Sequence, residues 1–462
     1  MTNAPAEGAS AVSASGAGRA GAQDAELTRR ALAVLDANSI GGATAPSRRL
    51  YPHQWSWDSA CVALGYARSD QARAERELRS LFAGQWRNGL LPHIVFTEGA
   101  RYFPGPEFWQ TEGSPDAPAQ PRTSGLVQPA VHGTAVWEVY RRAADRDAAR
   151  SFARELLPKL VAWHEYLYRE RTREGGALVE VWHPWETGMD NSPLWDDALA
   201  RIELAQDDVP AYERVDVQVA VADERPSDRE YDRYAYLVGL FRDLGYDSGR
   251  IREATPFAVR PVLFNALLVQ SNRDLGDLAR AVGADAAPLD EWAERTAAEL
   301  DELWDEETGV YRDFDVRAGE LLPTWCAAGL APLYAGVPDP SRAARMLETV
   351  PASGLRVGSD GWAATSLPPG DPRFHPTLYW RGPVWPILNW VLHRGLARYG
   401  FGELAEQVRT TVVDLARDGG FWEHYDPLTR KGHGGDEFAW TAALVLDFVA
   451  FPSTNGSSQA PN

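Results

Sequence analysis

The sequence predicts an all-α fold in which helices pair into two concentric rings, an α/α toroid. Three observations predict it. Apolar residues recur at three- and four-residue spacing along most of the chain, the period of a helix with one buried face. The periodic segments tend to come in pairs, one apolar and one amphipathic, as a buried inner ring inside a half-solvated outer ring requires. No linker interrupts residues 25–451, and the spacing lacks the fixed period of roughly 33 or 34 residues seen in open solenoids.

Taken in order, residues 26–38 open the helical pattern with Leu and Ala on one face and Arg on the other. Residues 57–68 form an apolar run, and 73–86 an amphipathic one. Helical periodicity continues over 131–145, 152–172 and 231–246. The alternation is clearest where Pro261–Val282, apolar, precedes Leu289–Trp304, charged on one side. After ETGVYRDFDV (307–316), which with the segment after it reads as a hairpin with a Thr-Gly turn, helices resume at 322–336 and 343–350. A second clear pair follows, Val384–Tyr399 with Phe401–Asp418, and the apolar run 438–449 closes the series. Residues 1–24 and 452–462 are rich in small and polar residues and are expected to be disordered, flanking a single domain at 25–451.

Composition excludes several function classes. The net charge is −19, the wrong sign for a surface that binds nucleic acid. No apolar run reaches the ~18 residues of a membrane span, and the N-terminus lacks the apolar core of a signal peptide. The two cysteines, Cys61 and Cys326, lie in apolar runs without metal or redox spacing, so they read as packed thiols in a cytoplasmic protein. Self-association is left open.

Long irregular segments interrupt the helices at about 86–127, 173–228, 351–382 and 419–436. Loops this long in a compact domain are usually functional, and they are expected on one rim, where they build a pocket. Four stretches are alike in composition: Tyr51–Ala60, Val181–Pro193, His375–Pro386 and Gly419–Ala442. Each sets carboxylates or an Arg among Trp and Tyr. Many of the 18 Trp lie in or beside these loops. An indole face stacks on the apolar face of a sugar, while it also serves to plug a wide toroid, and either use fits these positions.

Cleaving a glycosidic bond takes two carboxyl groups, one protonated and one ionised. The candidates are Asp58, Glu186, Asp190, Asp196, Asp197, Glu423, Asp426, Asp436 and Glu437. Asp196 and Asp197 open a helix-like run and are expected to cap it, as Asp436 is for the last helix. Asp426 stands in a DPLT turn. Asp58, Asp190 and Glu423 have no such local task; Glu186 binds a sugar hydroxyl or braces its loop. The histidines His53, His183, His375, His424 and His433 are scattered, without metal-binding spacing, and His424 is notable only for flanking Glu423. Phosphate-binding, dinucleotide-binding and nucleophile-elbow motifs are absent.

The set WSWD, ETGMDNSP, YWRGPVWP and FWEHYDPLTR followed by GGDEFAWTA, in that order along nearly the whole ordered chain, resembles glycoside hydrolase family 63. The resemblance is strongest to its compact bacterial mannosylglycerate and glucosylglycerate hydrolases; trehalases and processing α-glucosidases are more distant. It implies an (α/α)6 barrel, an inverting mechanism and no cofactor. It implies Asp190 as general acid and Glu423 as general base. Tyr51, Trp55, Trp57, Asp58, Gln128, Trp185, Gly188, Tyr379, Trp380 and Trp385 would line the sugar subsite. Arg225 and Tyr231 resemble the pair that holds a glycerate carboxylate, a task suited to the bidentate guanidinium fork; Arg225 pairing with Asp228 is the competing reading. Arg430–Lys431 departs from the pattern, which has Gly after the Thr. The implied activity is hydrolysis of a small glycosylated hydroxy acid, glucosylglycerate first and mannosylglycerate next. Neutral gluco-oligosaccharides or trehalose, and a non-catalytic sugar-binding toroid, are the alternatives.

Overall fold

The structure, a computed structural model, describes residues 9–450 apart from 206–207, 353 and 358–360. It is mostly helical. Twelve helices carry the architecture among the described residues: α1 (Ala9–Ala37), α2 (Ser56–Tyr66), α3 (Gln71–Ala83), α4 (His132–Arg142), α5 (Arg146–Glu170), α6 (Val262–Val282), α7 (Ala287–Asp301), α8 (Pro332–Ala335), α9 (Pro340–Thr349), α10 (Pro386–Arg398), α11 (Gly402–Gly419) and α12 (Ala439–Val449).

Their contacts close a circuit. Helix α2 packs on α4, α4 on α6, α6 on α8, α8 on α10, α10 on α12, and α12 returns to α2. These are the apolar members of the pairs, and α2 and α12 are buried along nearly their whole length. The amphipathic members lie against them from outside: α3 on α2, α5 on α4 and α6, α7 on α6, α11 on α10 and α12, and α1 on α12. Hydrophobic burial on the inner face and solvent on the outer face account for the alternation.

Helix α1 begins at Ala9, inside the stretch expected to be disordered. Its Ala-rich composition is low in complexity but is also that of the strongest helix former. Residues 1–8 and 451–462, which include the expected C-terminal tail, lie outside the described residues. The expected hairpin is present, with Trp304–Asp305 paired to Val310–Tyr311 and Gly309 in the left-handed region at φ 69°. Both cysteines are buried and unbridged.

The inner circuit is spanned by buried charge. Asp447 on α12 accepts from Arg68, Arg142 and Arg394 and from the Trp390 indole. Those three arginines hold its carboxyl far below the ordinary range despite burial. No described helix is long and apolar enough to cross a membrane.

Candidate active site

The N-terminal ends of inner helices α2, α10 and α12 converge with the long loops on one pocket. Trp55 is the N-cap residue of α2, with Trp57 and Asp58 in its first turn. Gln128 lies just before α4 and accepts from the Trp57 amide at 3.2 Å. Trp385 is the N-cap residue of α10, and Phe438 that of α12. Short antiparallel pairings fix the loops. Gln54–Trp55 pairs with Ile94–Val95, and Val384 bridges Tyr425.

This pocket is lined by all fourteen residues expected there: Tyr51, Trp55, Trp57, Asp58, Gln128, Trp185, Gly188, Asp190, Arg225, Tyr231, Tyr379, Trp380, Trp385 and Glu423. Pro46, His93, Tyr102, Pro104, Phe438 and Trp440 complete the lining. The sequence reading missed these six. Trp440 stood within the quoted FAWTA motif, whereas Tyr102 sits in a loop with no comparable signal.

Two of the three carboxyls that line the pocket, Asp190 and Glu423, lie in contrasting surroundings. Asp190 follows a turn that begins at the short helix Pro184–Thr187 and reverses at Gly188, φ 78°. A Cβ at Gly188 would approach the Trp57 ring to 2.8 Å, so both backbone and space require glycine. The turn is pinned by Trp195 Nε1 donating to the Met189 carbonyl (2.8 Å) and by Tyr234 OH donating to the Asp190 carbonyl (3.1 Å). Burial, with the Glu423 charge adding to it and Arg225 opposing it, pushes the Asp190 carboxyl up to about 7.

Glu423 is richer in donors. Its Oε1 accepts from Tyr51 OH at 3.0 Å, its Oε2 from the Gly435 amide at 3.0 Å, and Arg225 Nη1 lies 3.9 Å from Oε2. Burial raises its pKa, and those donors hold the rise in check. Gly434, at φ 75°, gives the carboxylate its clearance, since a Cβ there would lie 2.3 Å from Oε2. Asp58 is also buried, and burial together with the Glu423 charge raises its carboxyl well above the ordinary range.

Aromatic walls enclose the acids. Trp380 and Trp385 stack with centroids 3.6 Å apart, and Trp57 meets Trp440 edge-on. Tyr379 turns its ring inward from a left-handed backbone, φ 40°, a conformation costing a non-glycine residue roughly 1–2 kcal/mol. Its hydroxyl lies 3.2 Å from that of Tyr51.

Arg225 stacks on the Tyr379 ring at 4.2 Å, and its Nε donates to Asp216 at 3.2 Å. Its Nη1 is buried without a hydrogen-bond partner. The competing expectation, a pair with Asp228, is not met: Asp228 pairs with Arg214 at 3.0 Å. Tyr231 lies under the Arg214 guanidinium at 3.8 Å and lines the pocket beside Tyr102.

Other expectations are corrected. Asp196 caps nothing: the N-cap residue of that short helix is Trp195, and the Asp196 carboxylate pairs with Arg381, 3.1 Å from Nη1. Asp436 does not cap α12 but lies 3.7 Å from Arg49 on the surface. Glu186 is a brace. It is fully buried, takes a bidentate pair from Arg171 (3.0 and 2.8 Å), and accepts the Trp182 amide at 2.7 Å. Asp426 does hold its turn, accepting from the Leu428 amide and the Thr429 hydroxyl. The departure at Arg430 keeps the left-handed backbone a glycine would favour, φ 64°. His424 is buried against the Trp385 ring.

Residues 51–441 match the model of the mannosylglycerate hydrolase MGH1-like glycoside hydrolase domain. The chain belongs to this family. The hydrolase is 48% identical over 434 residues to the mannosylglycerate hydrolase of Rubrobacter radiotolerans, covering 93% of this chain and 98% of that one. It is 40% identical over 441 residues to the glucosylglycerate hydrolase of Mycolicibacterium hassiacum, covering 92% and 98%. Among solved structures, it superposes on the glycoside hydrolase family 63 mannosylglycerate hydrolase of Thermus thermophilus, in complex with Tris and D-glycerate. The TM-score is 0.85 at 43% identity, covering 91% of this chain and 99% of that one. The hydrolase is accordingly a glycosidase of family 63.

Proposed function

We propose that the hydrolase cleaves a small glycosylated glycerate by inversion, on an (α/α)6 toroid, with Asp190 as general acid and Glu423 as general base. The closed circuit of α2, α4, α6, α8, α10 and α12 supports the toroid. The observation that carries the chemistry is the asymmetry of the two carboxyls in one pocket. Asp190, lifted to about 7, retains a proton near neutrality; Glu423 is also raised by burial, but Arg225, the Gly435 amide and Tyr51 oppose that rise by favouring its anion. Paired groups in environments of this contrast divide into acid and base.

In the reaction, the bond between the anomeric carbon and the glycosidic oxygen breaks, and the electron pair on the leaving oxygen takes the Asp190 proton. Water attacks the anomeric carbon from the opposite face and gives a proton to Glu423. Inversion requires roughly 6.5–9.5 Å between the carboxyls to seat that water. Stacked Trp380 and Trp385, with Trp57, offer apolar faces to the sugar, while Asp58 and Gln128 offer hydroxyl partners.

The Nη1 of Arg225, buried without a hydrogen-bond partner and with Tyr231 beside it, supports an anionic leaving group: a buried guanidinium in a chain of net charge −19 is suited to a carboxylate. Relatives named for either sugar support either glycerate conjugate, with mannosylglycerate hydrolases at the higher identities. The buried, unbridged cysteines support a cytoplasmic setting. Purified protein assayed for free sugar against mannosylglycerate, glucosylglycerate, trehalose and maltose tests the reading. Release from a glycerate conjugate and not from the neutral disaccharides is expected; the reverse would overturn it.

A further inference from the structure

Arg225 and Glu423 stand on different segments, one on 215–227 and the other at the hairpin His424–Tyr425/Gly432–His433. A second side-chain contact joins these segments beside the pocket. Glu224 Oε1 meets His433 Nδ1 at 2.8 Å, with both side chains largely shielded. Glu224 is the residue immediately before Arg225. His433 pairs across the hairpin with His424, which follows Glu423, and precedes Gly434, whose missing Cβ clears Glu423 Oε2.

We infer that Glu224 and His433 form a latch that holds the Arg225 segment against the Glu423 hairpin, setting the guanidinium for the acid end of the substrate. They are positioning residues, as neither lines the pocket. Asp216 sets the same guanidinium from its other edge, by accepting from Nε and, at 2.7 Å, from Arg214. With Nε held by Asp216 and the main chain held by Glu224, the fork has one aim, Nη1 toward the pocket and Glu423. A hydrogen bond that fixes a reacting geometry affects rate and affinity far beyond its own exposure, since a shift of about 1 Å can cost on the order of a hundredfold.

The inference rests on the proposed role of Arg225 in holding a carboxylate. Calorimetric titration of the full-length protein with D-glycerate, and separately with free mannose or glucose, distinguishes the two. Glu224→Ala and His433→Ala should each weaken D-glycerate roughly tenfold, leave the sugar within about twofold, and combine without further loss. Glu224→Gln, which keeps an acceptor, should restore most of the affinity. If Arg225→Ala weakens D-glycerate while the latch variants do not, or if the two latch variants act additively, the latch is overturned and the anion site stands. If Arg225→Ala leaves D-glycerate binding unchanged, the anion site itself falls. A matching melting temperature for each variant excludes loss of fold as the cause.

Discussion

Tyr51 donates its hydroxyl hydrogen to Glu423 Oε1 at 3.0 Å, joining the loop before α2 to the residue that precedes the strand His424–Tyr425. The contact favours the ionised carboxylate. Removing it with Tyr51→Phe takes away a hydrogen bond to a charged group, worth roughly 1.5–3 kcal/mol, or about a 10- to 100-fold fall in kcat/KM. The same loss raises the Glu423 pKa, so the acidic limb of the kcat/KM profile moves to higher pH. A pH series on wild type and variant checks both.

Asp190 governs the alkaline limb. Its proton is retained up to about 7, so activity is expected to fall as pH rises through that value. Stability follows the same group with a definite sign. A carboxyl whose folded pKa lies above its unfolded one binds more protons when folded, so its favourable contribution is full below about 3.8 and is lost as pH rises to about 7. Asp190→Asn removes that loss. The variant should therefore be inactive yet gain stability over wild type as pH increases from 4 to 8, by an amount on the order of 1–3 kcal/mol. Denaturant melts at several pH values measure the divergence.

Gly434→Ala is predicted to keep the fold and lose activity. The new methyl would lie 2.3 Å from Glu423 Oε2, and φ 75° disfavours a side chain. Displacing the base by a fraction of an ångström should lower kcat at least tenfold, measured under saturating substrate, while circular dichroism stays unchanged.

Glu186→Gln separates structure from chemistry. Arg171, buried, would lose its bidentate partner, and breaking a buried pair from one side costs about 3–5 kcal/mol. Denaturant unfolding should show that loss, with the pH dependence of the remaining activity unaltered because Glu186 lies outside the pocket.

Much of this was legible in the sequence for identifiable reasons. Helical periodicity marked the inner and outer helices because burial acts on every turn of a helix, as in α6 and α7. Asp190 and Glu423 stood out because acids set among Trp and Gly in long loops have no local bond to explain them, and Asp58 because it follows two Trp at the start of an apolar run. What failed depended on distant partners. Asp196 looked like a cap, yet its partner Arg381 is 185 residues away. The Arg225 partner proved to be Asp216 rather than Asp228, since the loop folds back on itself. Tyr102 enters the pocket through the packing of its loop against Tyr51 and Trp55, which no pattern within its own segment records.

Proton NMR of the first sugar released from an α-linked glycosylglycerate tests the central claim most directly. With Asp190 as acid and Glu423 activating water on the opposite face, the β-anomer should appear first and then mutarotate. Initial release of the α-anomer would contradict the assignment of these two residues as an inverting pair.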